Sequence, residues 1–298
     1  MYGLHGLPLL LAATAALAVA TLLFYALHRR QQRQKQRHIQ SNIRQLALLR
    51  ALIAGFQRHR GLSNGVLCGD ASLGQDLAAA REGLDRHIRA AQELDSSHRD
   101  AWNGLIDHWS RMREGRSSDP ANNLAQHHLI IRNSIFLMED VASEVDLSEG
   151  RAALGYLPCI WREVVQAAEW AGQARALGTG IAAAGQSSAE QRVRMRFLYQ
   201  KIQLLAGTAF ATLRRHVAEH PQSDGFRLAQ REQVVEDFLR CMEQELLGQE
   251  RPVIAAKSYF QRATQAIDEL LALVDTALHQ LQPERQPPLS LRETTTWT

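Results

Sequence analysis

Arg60 and Arg175 are the residues of this chain whose type and placement point to binding chemistry. Behind Arg60, Leu46, Leu49, Ile53 and Phe56 recur at steps of three and four, which defines one buried helix face, and Arg60 takes the next position on it. An arginine turned toward a core is costly to bury alone, so it is either ion-paired or placed to hold an anion. Arg175 follows Val164, Ala168 and Ala171 in the same way. The stretches Arg60-Gly61-Leu62-Ser63-Asn64-Gly65-Val66 and Arg175-Ala176-Leu177-Gly178-Thr179-Gly180-Ile181 share one pattern at an offset of 175 − 60 = 115 residues. Each runs on into a further glycine, Gly69 or Gly185. Two helix-borne arginines at matching places predict a pseudo-symmetric site with both guanidiniums facing one small space, where glycines let backbone or ligand approach closely. A guanidinium is a planar fork of donors suited to planar oxyanions with two acceptors on one edge, such as carboxylate, nitrate or nitrite. Glu169 lies six positions before Arg175, about 120° round the helix from it, so it does not pair with that arginine directly. It can instead reach Arg58 or Arg60 across the bundle, an ion pair that would fix register.

Other chemistries find no support. There is no P-loop, HExxH, GxSxG or GxGxxG pattern, and His98-Arg99-Asp100 matches a kinase triplet without the glycine-rich loop or Asp-Phe-Gly that would give it meaning. Cys68, Cys159 and Cys241 are far apart and odd in number, so neither a disulfide framework nor a metal site is expected. His127 and His128 are adjacent and face different ways, and His87, His98 and His108 lack ligand spacing; surface or capping roles are expected. No catalytic residue, metal or cofactor is therefore assigned. The net charge is +3, and no basic stripe runs through an aromatic-rich surface, so nucleic acid is not an expected partner.

The elements that must position the arginines read as helices throughout, because alanine, leucine, glutamine and arginine dominate and no stretch alternates as a strand does. Residues 6–27 are apolar apart from Thr14 and Thr21 and predict a transmembrane anchor over residues 1–28. A basic segment follows at 29–38, with Arg29, Arg30, Arg33, Lys35 and Arg37, which by the positive-inside bias predicts a single-pass protein of the inner membrane with its helical domain in the cytoplasm. Periodicity then predicts helices over 31–67, 72–95, 100–113, 122–147, 159–184, 189–216, 226–247 and 253–281. Leu129, Ile130, Ile135, Phe136, Val141 and Val145 form the apolar set of the fourth, and Ser188 caps the sixth. The fold expected is thus all-α: one transmembrane helix, then eight helices over 39–283 as two four-helix half-repeats, 39–147 and 152–283. Residues 284–298 are expected to be a disordered tail.

Three motifs in order resemble the nitrate- and nitrite-sensing (NIT) domain family of bacterial signalling proteins. Gln57-Arg58-His59-Arg60-Gly61-Leu62-Ser63 is similar to that family's first-helix signature, with His59 where a Glu is usual. Glu169-Trp170-Ala171-Gly172-Gln173-Ala174-Arg175 is similar to its Glu-x-x-Gly-x-x-Arg motif. Tyr259-Phe260-Gln261-Arg262-Ala263-Thr264 with Ile267-Asp268 is similar to its closing helix, with Tyr259 for a Trp and Ala266 for an Arg. The resemblance implies a domain that binds nitrate or nitrite through Arg60, Arg175 and Arg58, supported by Glu169, Gly61, Ser63, Gly172 and Thr264. Of these, Arg60 and Arg175 are the stronger pair, since the stripe and the half-repeat choose them as well. Family members carry an output module; none follows here, so the signal is expected to pass to a separate signalling protein, with a homodimer possible. The alternative is a membrane-tethered helical scaffold that senses nothing and whose arginines are internally ion-paired.

Overall fold

A computed structural model of the chain describes residues 6–114, 119–146, 154–220, 226–249 and 251–281, with the side chains of 6–13 and 146 left aside. Every regular element among the described residues is helical, as composition predicts. The helices are α1 (Gly6–Leu67), α2 (Gly74–Gln92), α3 (Arg99–Arg113), α4 (Pro120–Asp146), the short α5 (Leu157–Cys159), α6 (Val165–Ala184), α7 (Ala189–Glu219), α8 (Leu228–Cys241) and α9 (Ala256–Leu281). A π-helical turn, Ile160–Val164, leads into α6, and another, Met242–Leu247, extends α8. The expected tail at 284–298 lies outside the described residues.

The chain divides into two compact units, residues 1–41 and 42–298. The first corrects the expected anchor and, with it, the inner-membrane localisation: among the described residues no helix is long and apolar enough to cross a membrane. The apolar run gives way after Leu27 to His28, Arg29 and Arg30. Residues 6–13, the rest of the expected span, lie outside the described side chains. Leu17, Leu22, Phe24 and Leu27 within that run are exposed.

The second unit holds the core. Leu46, Leu49, Ile53 and Phe56 are all buried, so the stripe that leads to Arg60 faces inward. In the later part of the unit, α6 packs against α9 and α7, and α8 packs against α9 and α7. Small residues on α6 permit this: Ala167, Ala168, Ala171, Ala174 and Gly178 are buried, and the Tyr259 ring of α9 occupies the space a Cβ at Gly178 would need. Earlier in the unit, α2 packs on α3 and α3 on α4. The repeated glycines end helices: Gly185 caps α6 with φ +63°, and Gly69 adopts φ +105° just after α1. Only glycine takes those angles without strain, so Gly69 and Gly185 each act as a stop signal. Ser188 caps α7 as expected, and Gln191 completes a reciprocal capping box: Ser188 Oγ accepts from Gln191 N at 3.1 Å while Gln191 Oε1 accepts from Ser188 N at 2.9 Å.

Candidate oxyanion site

Arg60 is among the most deeply buried side chains, 1% exposed on α1. Its partner is Glu169 on α6. Nη1 donates to Oε1 at 2.5 Å and Nη2 to Oε2 at 3.3 Å, a fork against a carboxylate edge. Two amides complete the carboxylate's shell: Gln57 Nε2 donates to Oε2 at 2.9 Å, and Gln173 Nε2 donates to Oε1 at 3.0 Å. Position on the helices explains the set. Gln57 is one turn before Arg60 on α1, and Gln173 one turn after Glu169 on α6, so each amide shares a face with one member of the pair. Gly172 is buried on the same side of α6, and the absence of a side chain there is what lets Arg60 lie against the helix.

Arg175, also on α6, is half-buried. Among the described residues it forms no ion pair. Its Nη1 donates to Thr264 Oγ1 at 3.0 Å, and its guanidinium lies 5.0 Å from the centre of the Phe260 ring. The Thr264 hydroxyl spends its own hydrogen on Phe260 O at 2.8 Å, so it can only accept from the arginine. Burial, reinforced by the nearby charge of Arg60, lowers the Arg175 pKa to about 10, while Asp268 and Glu169 pull the other way. The two arginines therefore feel each other, and the carboxylates of Asp268 and Glu169 both act on Arg175.

The remaining expected residues separate. Arg58 is exposed, one residue off the buried stripe, and does not join Arg60 and Arg175. Gly61 is exposed, with open space where a Cβ would go. Ser63 is buried one turn on from Arg60, where its Oγ donates to Arg60 O at 3.3 Å and accepts from Asn123 Nδ2 at 3.1 Å.

The structure also adds residues that the sequence reading placed elsewhere. His127, expected at the surface, is fully buried on α4, and its Nε2 lies 2.8 Å from His59 Nδ1. His127 Nδ1 lies 2.7 Å from Asn123 O, and a carbonyl only accepts, so Nδ1 carries the hydrogen. In a neutral ring Nε2 is then the acceptor, His59 Nδ1 the donor, and His59 Nε2 is left bare; that atom is buried without a partner. Burial depresses both rings, His59 to about 4 with help from Arg81, and His127 to about 3 with help from the His59 and Arg60 charges. His128 faces the other way and is lowered to about 4 by burial and then by Arg60. The signal for His127 was available: Asn123, His127, Ile131, Ser134, Met138 and Val141 recur at helical spacing and are all buried. Two positions of the expected apolar set are the reverse, since Leu129 and Phe136 are exposed, the latter at 52%. They line a cleft of about 590 Å³ with Arg132, Trp170, Gln173 and Arg194, and Glu169 forms part of its wall.

Chemically, the Arg60 fork is spent on Glu169, while the donors of Arg175 meet no carboxylate among the described residues. A family model described as nitrate and nitrite sensing matches residues 51–282. Among solved structures, the chain is similar to the structure of the NasR transcription antiterminator, with a TM-score of 0.60 and 20% identity over 88% of this chain and 73% of that one. At that identity the likeness is one of fold. No curated protein matches the chain.

Proposed function

Because this chain belongs to the nitrate and nitrite sensing family, we propose that it is a helical sensor that binds nitrate or nitrite through Arg60 and Arg175 and passes the signal to a separate protein by repacking its helices. On this reading the second unit works as two four-helix bundles, one before and one after residues 147–153, with the ligand between the α1 and α6 arginines. Its role is binding and signalling, without catalysis. The observation that supports it best is the state of Arg175. Beside the Arg60–Glu169 pair it forms no ion pair among the described residues, its guanidinium touching a hydroxyl and a ring while Asp268 acts on it only from beyond ion-pair distance. A planar monoanion would supply the missing charge, and the energy of that pairing would bias the packing of the helices that carry it.

A ligand that binds only the folded state raises melting temperature with its concentration, by about 2.7 kcal/mol of stability at a hundred times Kd. Melting of the whole chain should rise with sodium nitrate or nitrite and not with sodium chloride at equal ionic strength. Arg175→Ala should remove that rise. A flat response to both oxyanions would sink the sensor reading.

One observation favours a second reading. Arg60 is already closed onto Glu169, as in a scaffold whose arginine merely fixes helix register. In that case Arg60→Ala lowers stability, and no variant shows any dependence on oxyanion.

A further inference from the structure

We propose that Glu169 is a resident competitor for the oxyanion seat on Arg60, and that the cleft beside it receives its carboxylate when an anion arrives. This rests on the anion-sensor reading above. A carboxylate and a nitrate or nitrite offer a guanidinium the same feature, two oxygens on one planar edge. Glu169 presents that edge to Arg60 through both oxygens, and Gln57 holds it from the α1 side. Arg60 is 1% exposed, so its fork cannot take a second planar anion while Glu169 remains.

Glu169 nevertheless has somewhere to go. Its side chain borders the cleft of about 590 Å³ whose walls carry Arg132 and Arg194. The connection is already made through hydrogen bonds: Gln173 Nε2 donates to Glu169 Oε1 at 3.0 Å, and Arg194 Nη2 donates to Gln173 Oε1 at 2.7 Å. Gln173 thus stands between the buried pair and an exposed cation. A carboxylate that leaves Arg60 by rotating toward Gln173 approaches Arg194 instead of apolar core, so neither the anion nor the arginine it leaves is stranded without a counter-charge. The arriving oxyanion takes over Arg60 and completes the charge of Arg175. Ligand entry and Glu169 departure become one exchange, and the apparent affinity is reduced by the fraction of molecules in which Arg60 is open.

The test is calorimetric titration of the whole chain with sodium nitrate and sodium nitrite, with sodium chloride as the ionic-strength control. Glu169→Gln keeps the shape but removes the competing charge and replaces one accepting oxygen by a donor that faces other donors. It therefore holds Arg60 less well and should bind at least about tenfold tighter than wild type. Arg194→Ala, at an exposed position, should melt like wild type without anion yet bind about threefold or more weakly. If wild type binds and Glu169→Gln binds equally or more weakly, the competitor idea is wrong and the sensor reading stands. If neither binds either oxyanion, the sensor reading fails and takes the proposal with it. Binding by Glu169→Gln alone supports the proposal in its strongest form. Should Glu169→Gln not fold, Arg194→Ala decides: nitrate affinity equal to wild type, or no binding by wild type, overturns the proposal.

Discussion

Gly172 lies directly against the Arg60 guanidinium: a Cβ at this position would sit 2.8 Å from Nη2 and 3.8 Å from the Gln57 side-chain amide. The two residues come from α6 and α1, more than a hundred positions apart in sequence, and their fit sets where the Arg60–Glu169 pair can form.

Gly172→Ala should therefore act on the site more than on the fold. Nη2 ends a flexible side chain, but here it is held by Glu169, so relief means loosening the pair. We expect a stability loss of about 1 kcal/mol by urea unfolding, the scale of one added carbon in a packed interior. Oxyanion binding by calorimetry should fall at the same time. Wild-type stability together with wild-type affinity would show that the contact is not tight.

Arg60→Ala should be costly, because Glu169 loses its partner and is left with its charge uncompensated unless it swings out toward Arg194. Removing one partner of such a pair costs about 3–5 kcal/mol. Removing Glu169 as well, in Arg60→Ala with Glu169→Ala, should recover part of that loss, since the orphaned charge goes with it. A double-mutant cycle in urea measures the coupling, and strictly additive losses would mean that the two side chains act independently.

The His59–His127 pair predicts weakening in acid. In the fold the rings hold out to about 4 and about 3, whereas an unfolded histidine titrates near its ordinary value of about 6.5. Above pH about 6.5 neither state takes the proton, and stability is complete. As pH falls below that value, the unfolded chain binds protons that the folded chain refuses, so stability declines until the folded pKa values are passed. His59→Gln keeps a donor for His127 Nε2 and removes one of the titrating rings. Its stability should fall less steeply than that of wild type between pH 6.5 and 4, as followed by denaturant melts. Equal slopes would mean that His59 is not shielded.

How far the site was legible follows from what each residue needed to know. The stripe Leu46–Leu49–Ile53–Phe56 required only helical spacing, and it carried Arg60 inward correctly. Glu169 was an available partner by distance along its helix, but choosing Arg60 over Arg58 required knowing which face of α1 meets α6. Adjacency to His128 and the lack of ligand spacing suggest only a surface or capping role for His127, although its neighbours at helical steps, Asn123 and Ile131, are buried with it. Leu129 and Phe136 misled in the opposite direction, since an apolar side chain at a helix edge can as well line a cleft as enter a core. Hydropathy alone makes the apolar run at 6–27 a candidate span, whereas no described helix is long and apolar enough to cross a membrane.

The sequence by itself determined the helices, their main stops and the burial of Arg60, because these depend on residues within a few turns of one another. It also placed the chain in its family through three short motifs. Only the tertiary structure decided that Glu169 closes on Arg60, that Arg175 is left with Thr264 and Phe260, and that two histidines from α1 and α4 share a hydrogen bond. Those are contacts between helices, set by how ridges on one element fit the small residues of another. No local pattern encodes that fit.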